Sequence, residues 1–225
     1  MNSFTINPTQ GVVLDKTTNQ PKIVPLLKHD IQAFYHSDYS GGVKWQVKGT
    51  FENFFWILKN DAIYYSEIEL QNASQQLKNI LMEDLPQILQ TTGKNYLTVC
   101  VIPRAKADNK YRPNQLLFFQ TVKSVVLQLN GLGDGTHYII RHTNTKTTHL
   151  RKPVENFVND GSSPYPGITK DTCTISDNVM GKDILLIDDI YTKTVNIDED
   201  AIQALLDKGA NSVLFYAVGK TVSRY

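Results

Sequence analysis

The chain has 225 residues, 41% of them apolar and 20% charged, enough to bury a sizeable core as one domain or as a main domain with a small appended one. Lys and Arg number 23 against 22 Asp and Glu, a net charge of +1, so no global field draws it to nucleic acid or an anionic membrane. The two cysteines, Cys100 and Cys173, lie far apart in no metal-ligand spacing, which argues against a zinc site and for buried, reduced thiols. No run of about 18 apolar residues occurs, and Met1 to Ile6 has neither a basic region nor a long apolar stretch, so the expectation is a cytoplasmic protein with no membrane partner.

In chain order, residues 1–22 are polar and broken by Pro8, Gly11 and Pro21, and read as an arm or peripheral hairpin with a short strand at Gly11 to Leu14. Gly41-Gly42 interrupts the next region, and the alternation of Val43, Trp45 and Val47 predicts a strand. Thr50 is placed to cap a helix over Phe51 to Lys59, Asn72 to cap a second from Ala73 towards Leu81, and Pro86 to open a third, short one. Residues 1–94 are thus expected to form an N-terminal arm and a cap of helices and short strands, over a core spanning 95–225.

From Asn95 strands and helices alternate. Leu97 to Ile102 predicts a strand, Asn114 to Leu129 a helix with Leu116, Phe119, Val122, Val126 and Leu129 inward, and His137 to Arg141 a second strand. His142 to Lys182, rich in Pro and Gly, reads as a long functional loop with a short helix at Pro153 to Val158. Ile184 to Ile187, a helix over Asp198 to Lys208 ended by Gly209, and Val213 to Val218 complete the series. The predicted fold class is α/β, a doubly wound, mainly parallel sheet of at least four strands.

The most chemically specific stretch is Asp183 to Asn196. Four apolar residues run into Asp188-Asp189 and then a hydroxyl-rich segment, Thr192, Lys193, Thr194, Val195, Asn196, ahead of a helix. Such a strand delivers acidic groups and a phosphate-sized loop to its carboxyl end, which points to a phosphorylated sugar or nucleotide. A response-regulator receiver also opens on paired acids, but too little chain follows Asp189 to build its sheet.

This segment resembles the phosphoribosyl-pyrophosphate (PRPP) signature of type I phosphoribosyltransferases, an apolar strand, two acidic residues and a Thr-Thr-Gly-x-Thr-like loop. Two positions depart, with Thr194 at the glycine and Asn196 at the last hydroxyl. The chain is also similar to the competence-protein ComF branch of that family, through Tyr96 to Ile102 with Pro103 and Arg104, Arg112-Pro113-Asn114-Gln115, Arg141 to Thr145 with Arg151 and Asn156, and Phe54 to Asn60. The matches span roughly residues 51–225. The N-terminal cysteine cluster of that branch is absent, the Arg-Pro-Asn-Gln element is one residue short, and His149 stands where a Gln is expected.

The resemblance implies a transferase that binds PRPP or a nucleotide with Mg²⁺ and passes the phosphoribosyl group to a nucleobase-like nitrogen acceptor. Asp188 and Asp189 would be the catalytic pair and the metal-side carboxylates, acting directly or through ribose hydroxyls or water. Thr192, Lys193, Thr194, Val195 and Asn196 would hold the 5-phosphate. Arg104 and Lys106 would face pyrophosphate, and Arg141, Lys146 and Arg151 would close over it. The acceptor would meet the N-terminal aromatics Trp45, Phe51, Phe54, Phe55, Trp56, Tyr64 and Tyr65, which at their spacing equally suit a core. Two alternatives stay open, a PRPP- or nucleotide-binding regulator without efficient turnover and a ComF-like DNA-uptake factor, and a homodimer is open too.

Overall fold

The computed structural model of the chain describes residues 1–15, 17–60, 63–148 and 158–222. Among the described residues ten strands form, β1 (Asn2–Ile6), β2 (Thr9–Leu14), β3 (Pro21–Leu27), β4 (Ile31–Tyr39), β5 (Leu97–Val101), β6 (Leu132–Asp134), β7 (Ile139–Arg141), β8 (Cys173–Ile175), β9 (Asp183–Tyr191) and β10 (Ser212–Thr221). The helices are α1 (Phe51–Lys59), α2 (Glu67–Thr92), α3 (Leu117–Val126), α4 (Ile168–Thr172) and α5 (Ile197–Asp207). One six-stranded sheet organises them in the order β1-β4-β10-β9-β5-β6, parallel throughout except for β1 against β4. The α/β class and the mainly parallel sheet agree with the sequence reading.

Strand β9 lies in the middle because both its faces are apolar. Leu185 and Ile187 join a core with Phe55, Leu77, Leu81, Val122 and Tyr216, under α1, α2 and α3. Ile184 and Leu186, pointing the other way with the period of two of a strand, join Ala201, Ile202 and Leu205 of α5 and Leu27 of the β2–β3 hairpin. All four residues of this run are fully buried, and burial on both faces is what a central parallel strand requires.

Four expectations are corrected. The segment expected as a cap supplies two strands of the central sheet, since β4 pairs with β10 and carries β1, so the sheet crosses the 94/95 division. The strand beside β5 is Leu132–Asp134 rather than His137 to Arg141, whose last three residues instead pair antiparallel with β8. Gly133 fits that edge because a Cβ there would meet the Tyr96 hydroxyl at 1.9 Å. Val43 to Val47 is a 3₁₀ turn over Gly42–Gln46, with Val43 75% exposed, so the alternation has no apolar face to bury. Finally, α2 is one helix of 26 residues that begins at a Ser66–Glu69 capping box and runs through Pro86 to left-handed Gly93. Leu77, Leu81, Leu85 and Ile88 keep one buried stripe across the proline, which sits on the exposed side of the helix.

Candidate functional site

The topology places an opening before any side chain is considered. From β5 the chain crosses through α3 to β6, and from β9 it crosses through α5 to β10, so the two crossovers leave in opposite directions. A crevice opens at such a reversal, beyond the carboxyl ends of the two strands. Pairing of β5 with β9 stops at Val101↔Ile187, closed by the Ile102 amide on the Ile187 carbonyl at 3.0 Å, while β10 continues to pair with β9 as far as Tyr191. Strand β9 therefore outruns its neighbour on one side, and the first residues past the last β5 contact are Asp188 and Asp189.

Three carboxylates gather there. Asp189 Oδ2 pairs with Lys59 Nζ at 2.6 Å, from the last residue of α1. That helix starts where Thr50 caps Asn53 and stops at left-handed Asn60, as the sequence predicts for both ends. Asp188 Oδ1 accepts the Asp189 amide at 2.8 Å and its carboxyl meets that of Asp198, from the first turn of α5. Burial, then the charge of Asp189, raises the Asp188 pKa to about 7, against the opposing pull of the Asp198 hydrogen bond and Lys59. Asp198 is also pushed up, by its own burial first and by Asp188 second. Among the described residues no group of three or more His, Cys, Asp or Glu is arranged to hold a metal ion.

On the β5 side the pair lines a cavity of about 130 Å³ with Lys59, Arg104, Arg141, Lys146 and the Thr145 to Thr148 segment. Arg104 donates to the carbonyls of Lys59 (2.8 Å) and Gln115 and lies 4.4 Å over the Tyr111 ring. Arg141 is buried, with Nε on the Arg104 carbonyl at 2.7 Å and a terminal nitrogen on the Thr172 hydroxyl at 2.6 Å. Arg141 is thus fixed through neutral acceptors, which leaves its charge available to an anion. Lys146 is exposed at the rim, and Arg151 lies outside the described residues.

Lys106 does not join this wall. Its ammonium is buried and bonds the Thr145 carbonyl (2.9 Å), the Asp160 carbonyl (2.7 Å) and Asp160 Oδ1 (2.6 Å), three acceptors for three donors. The expected pyrophosphate contact is corrected to a brace across the segment between β7 and β8. That segment also carries α4 and a bridge between Thr145 and Ser162, so it is more structured than the expected loop; most of the short helix expected at Pro153 to Val158 lies outside the described residues.

The hydroxyl-rich segment makes a tight turn between β9 and α5, with the Val195 amide on the Thr192 carbonyl at 2.9 Å and the Thr192 hydroxyl on that of Thr221 at 2.7 Å. Lys193 and Thr194 are exposed. The left-handed residue is Asn196, at φ 62°, and not Thr194, so the conformational demand on glycine has moved two positions along. The first turn of α5 holds Asp198, Glu199 and Asp200, all buried and turned inward. Glu199 accepts the Tyr191 hydroxyl (2.9 Å), and Asp200 accepts the amides of Gly167 (2.5 Å) and Thr169 (2.7 Å), fixing the start of α4. A helix dipole favours acids here, yet their charge also opposes any external anion at the same helix start.

On the other flank of the pair a cavity of about 300 Å³ is lined by Tyr39, Trp45, Trp56, Asp188, Asp189 and Asp198, among others. Of the aromatics expected at an acceptor site, only the two tryptophans reach it. Phe54 and Phe55 belong to the core, with Phe51 packed against it, and Tyr64 is exposed. Sequence reasoning gave no role to Lys59 or Asp198. Lys59 sits in a quoted family-like element, and Asp198 opens the Asp-Glu-Asp run that reads as ordinary helix-start acids. No protein-family model and no curated protein matches this chain.

Proposed function

We propose that the chain binds a phosphorylated ribose, PRPP or a nucleotide, and transfers its phosphoribosyl group to a nitrogen acceptor. The observation that carries this reading is the position of Asp188 and Asp189 at the reversal of crossover direction, between a wall of fixed guanidinium groups and an aromatic wall. In such a transfer the bond from the anomeric carbon to the pyrophosphate oxygen breaks, a bond to nitrogen forms, and the nitrogen releases its proton. Positive charge grows on the ring and negative charge on the leaving group. Asp189 and Asp188 lie where the ring would stand, and Arg104, Arg141 and Lys146 line the side that would take the diphosphate. Asp188 and Asp189, the second already paired with Lys59, offer too few ligands for a metal centre of the protein's own; Mg²⁺ would be held by them only together with the substrate, and would supply positive charge to the leaving diphosphate.

Calorimetric titration of the chain with PRPP and Mg²⁺, followed by a pyrophosphate-release assay over a panel of bases, tests the reading, and absence of any PRPP binding would sink it. The second reading, a binder without efficient turnover, is favoured by the turn at 192–196, where three buried acids stand behind the amides and no glycine is present. PRPP binding with no pyrophosphate release from any base would put that reading first.

A further inference from the structure

The flank of the acidic pair away from the arginines has an unusual balance of groups. Trp45 and Trp56 stack there at 4.5 Å between centroids and 26° between planes, and the Trp45 carbonyl is tied to α1 by Asn53 Nδ2 at 2.6 Å. Tyr39 adds a third ring, edge-on to Phe55 at 5.6 Å. Facing them, Asp198 is 4% exposed, and its Oδ1 has no hydrogen-bond partner among the described residues although the residue lines the cavity. Two carboxyl groups in contact can share one proton between four oxygens, and the further donor given to Asp188 is the neighbouring Asp189 amide. Lys59, which also lines this cavity, is engaged by Asp189. The space holds three carboxyl groups against the single ammonium of Lys59 and is walled by π faces. An anion is repelled, a neutral ring gains only stacking, and a flat cation with N–H groups gains stacking, cation–π attraction and the missing donors together.

We propose that this cavity binds a flat, cationic nitrogen compound, a protonated heterocycle or amidine, whose N–H groups are received by the Asp188 and Asp198 carboxyl pair while its ring lies against an open face of the Trp45–Trp56 stack. At about 300 Å³ the cavity holds a ring system of one or two rings, at the small end of ligand pockets. Only the naming of this compound as the nitrogen acceptor rests on the phosphoribosyl-transfer reading; the binding does not.

The chain's two tryptophans both line the cavity, so tryptophan fluorescence, excited selectively at wavelengths where tyrosine does not absorb, reports on it. Titration of the full chain with benzamidine, neutral benzamide and anionic benzoate should give saturable quenching by benzamidine, binding at least tenfold weaker for benzamide, and none for benzoate. Asp198→Asn should weaken benzamidine at least tenfold, and Trp45→Ala, at a half-buried position in the 3₁₀ turn, should do so as well by calorimetry. Equal affinity for the three probes, absence of saturable benzamidine binding, or benzamidine affinity untouched in both variants would overturn the proposal; the wild-type probe series decides it even if Asp198→Asn fails to fold. Titration of the same sample with PRPP separates the two readings. Benzamidine binding without PRPP binding removes the transfer reading and leaves this one, and PRPP binding without benzamidine binding does the reverse.

Discussion

The two ends of β9 carry the same side chain in opposite circumstances. At its start, Asp183 accepts from Ser212 Oγ (2.6 Å), Asn211 Nδ2 (2.7 Å) and Lys94 Nζ (2.9 Å), and these donors hold its pKa down at about 2. At its far end, Asp188 and Asp198 face each other with few donors, and burial pushes both up. A carboxylate surrounded by donors ties strand ends together. One starved of donors costs stability and persists where something outside the chain completes it. The strand is thus anchored at one end, and at the other it carries the carboxyl groups to which we assign the proposed ligand.

The largest effect that would break this comparison is on binding. Asp188→Asn combined with Asp189→Asn should remove PRPP binding from a calorimetric titration while stability stays within about 0.5 kcal/mol, because the change also relieves the repulsion among the clustered acids. A melting temperature several degrees lower with binding intact would make the pair structural. The mirror experiment is Asp183→Ala, which should cost about 1.5 to 3 kcal/mol through the lost charge-assisted bonds and leave ligand affinity unchanged. Loss of binding there, at unchanged stability, would dissolve the distinction between the ends.

Acid titration sharpens the same contrast. Asp183 has a folded-state pKa below its usual 3.8, so its stabilisation is fully present above about pH 4 and is lost as pH falls towards 2. Chemical unfolding between pH 5 and pH 2 should show wild type approaching Asp183→Asn as the pH drops. Parallel curves would mean that the strand's start gains nothing from its charge.

The smallest effects lie in the turn. Asn196→Gly should be tolerated within about 1 kcal/mol because the backbone is already left-handed, whereas Asn196→Val should cost about 1 to 2 kcal/mol or more. Thr194, outside that region, should respond to Thr194→Gly with a loss below about 1 kcal/mol and no gain in PRPP affinity. Tighter PRPP binding by that variant would show that the threonine does block a phosphate.

Much of the fold was legible where burial on two faces leaves an unbroken apolar run, as in β5, β9 and β10, or where a cap residue is explicit, as at Thr50 and Gly209. Strand β4 was missed because its segment carries Gln32, His36, Ser37 and Asp38, and its place in the sheet is supplied by β10, far along the chain. Pro86 suggested a helix start because local chemistry favours it there, whereas a buried stripe running through it outweighed that preference. In the site, Asp188, Asp189, Arg104 and Arg141 were readable from a strand end and from family-like spacing. The meeting of Asp198 with Asp188 depends on how α5 turns back over β9, and the capture of Lys106 by Asp160 on a loop closure, neither of which leaves a local pattern.

The most direct test of the central claim is a calorimetric titration of PRPP with Mg²⁺ into three proteins, wild type, Asp183→Asn, and Asp188→Asn with Asp189→Asn. The expected result is one saturable site in the first two and none in the third. No binding in wild type, or equal binding in all three, would contradict the assignment of the ligand to the carboxyl end of β9.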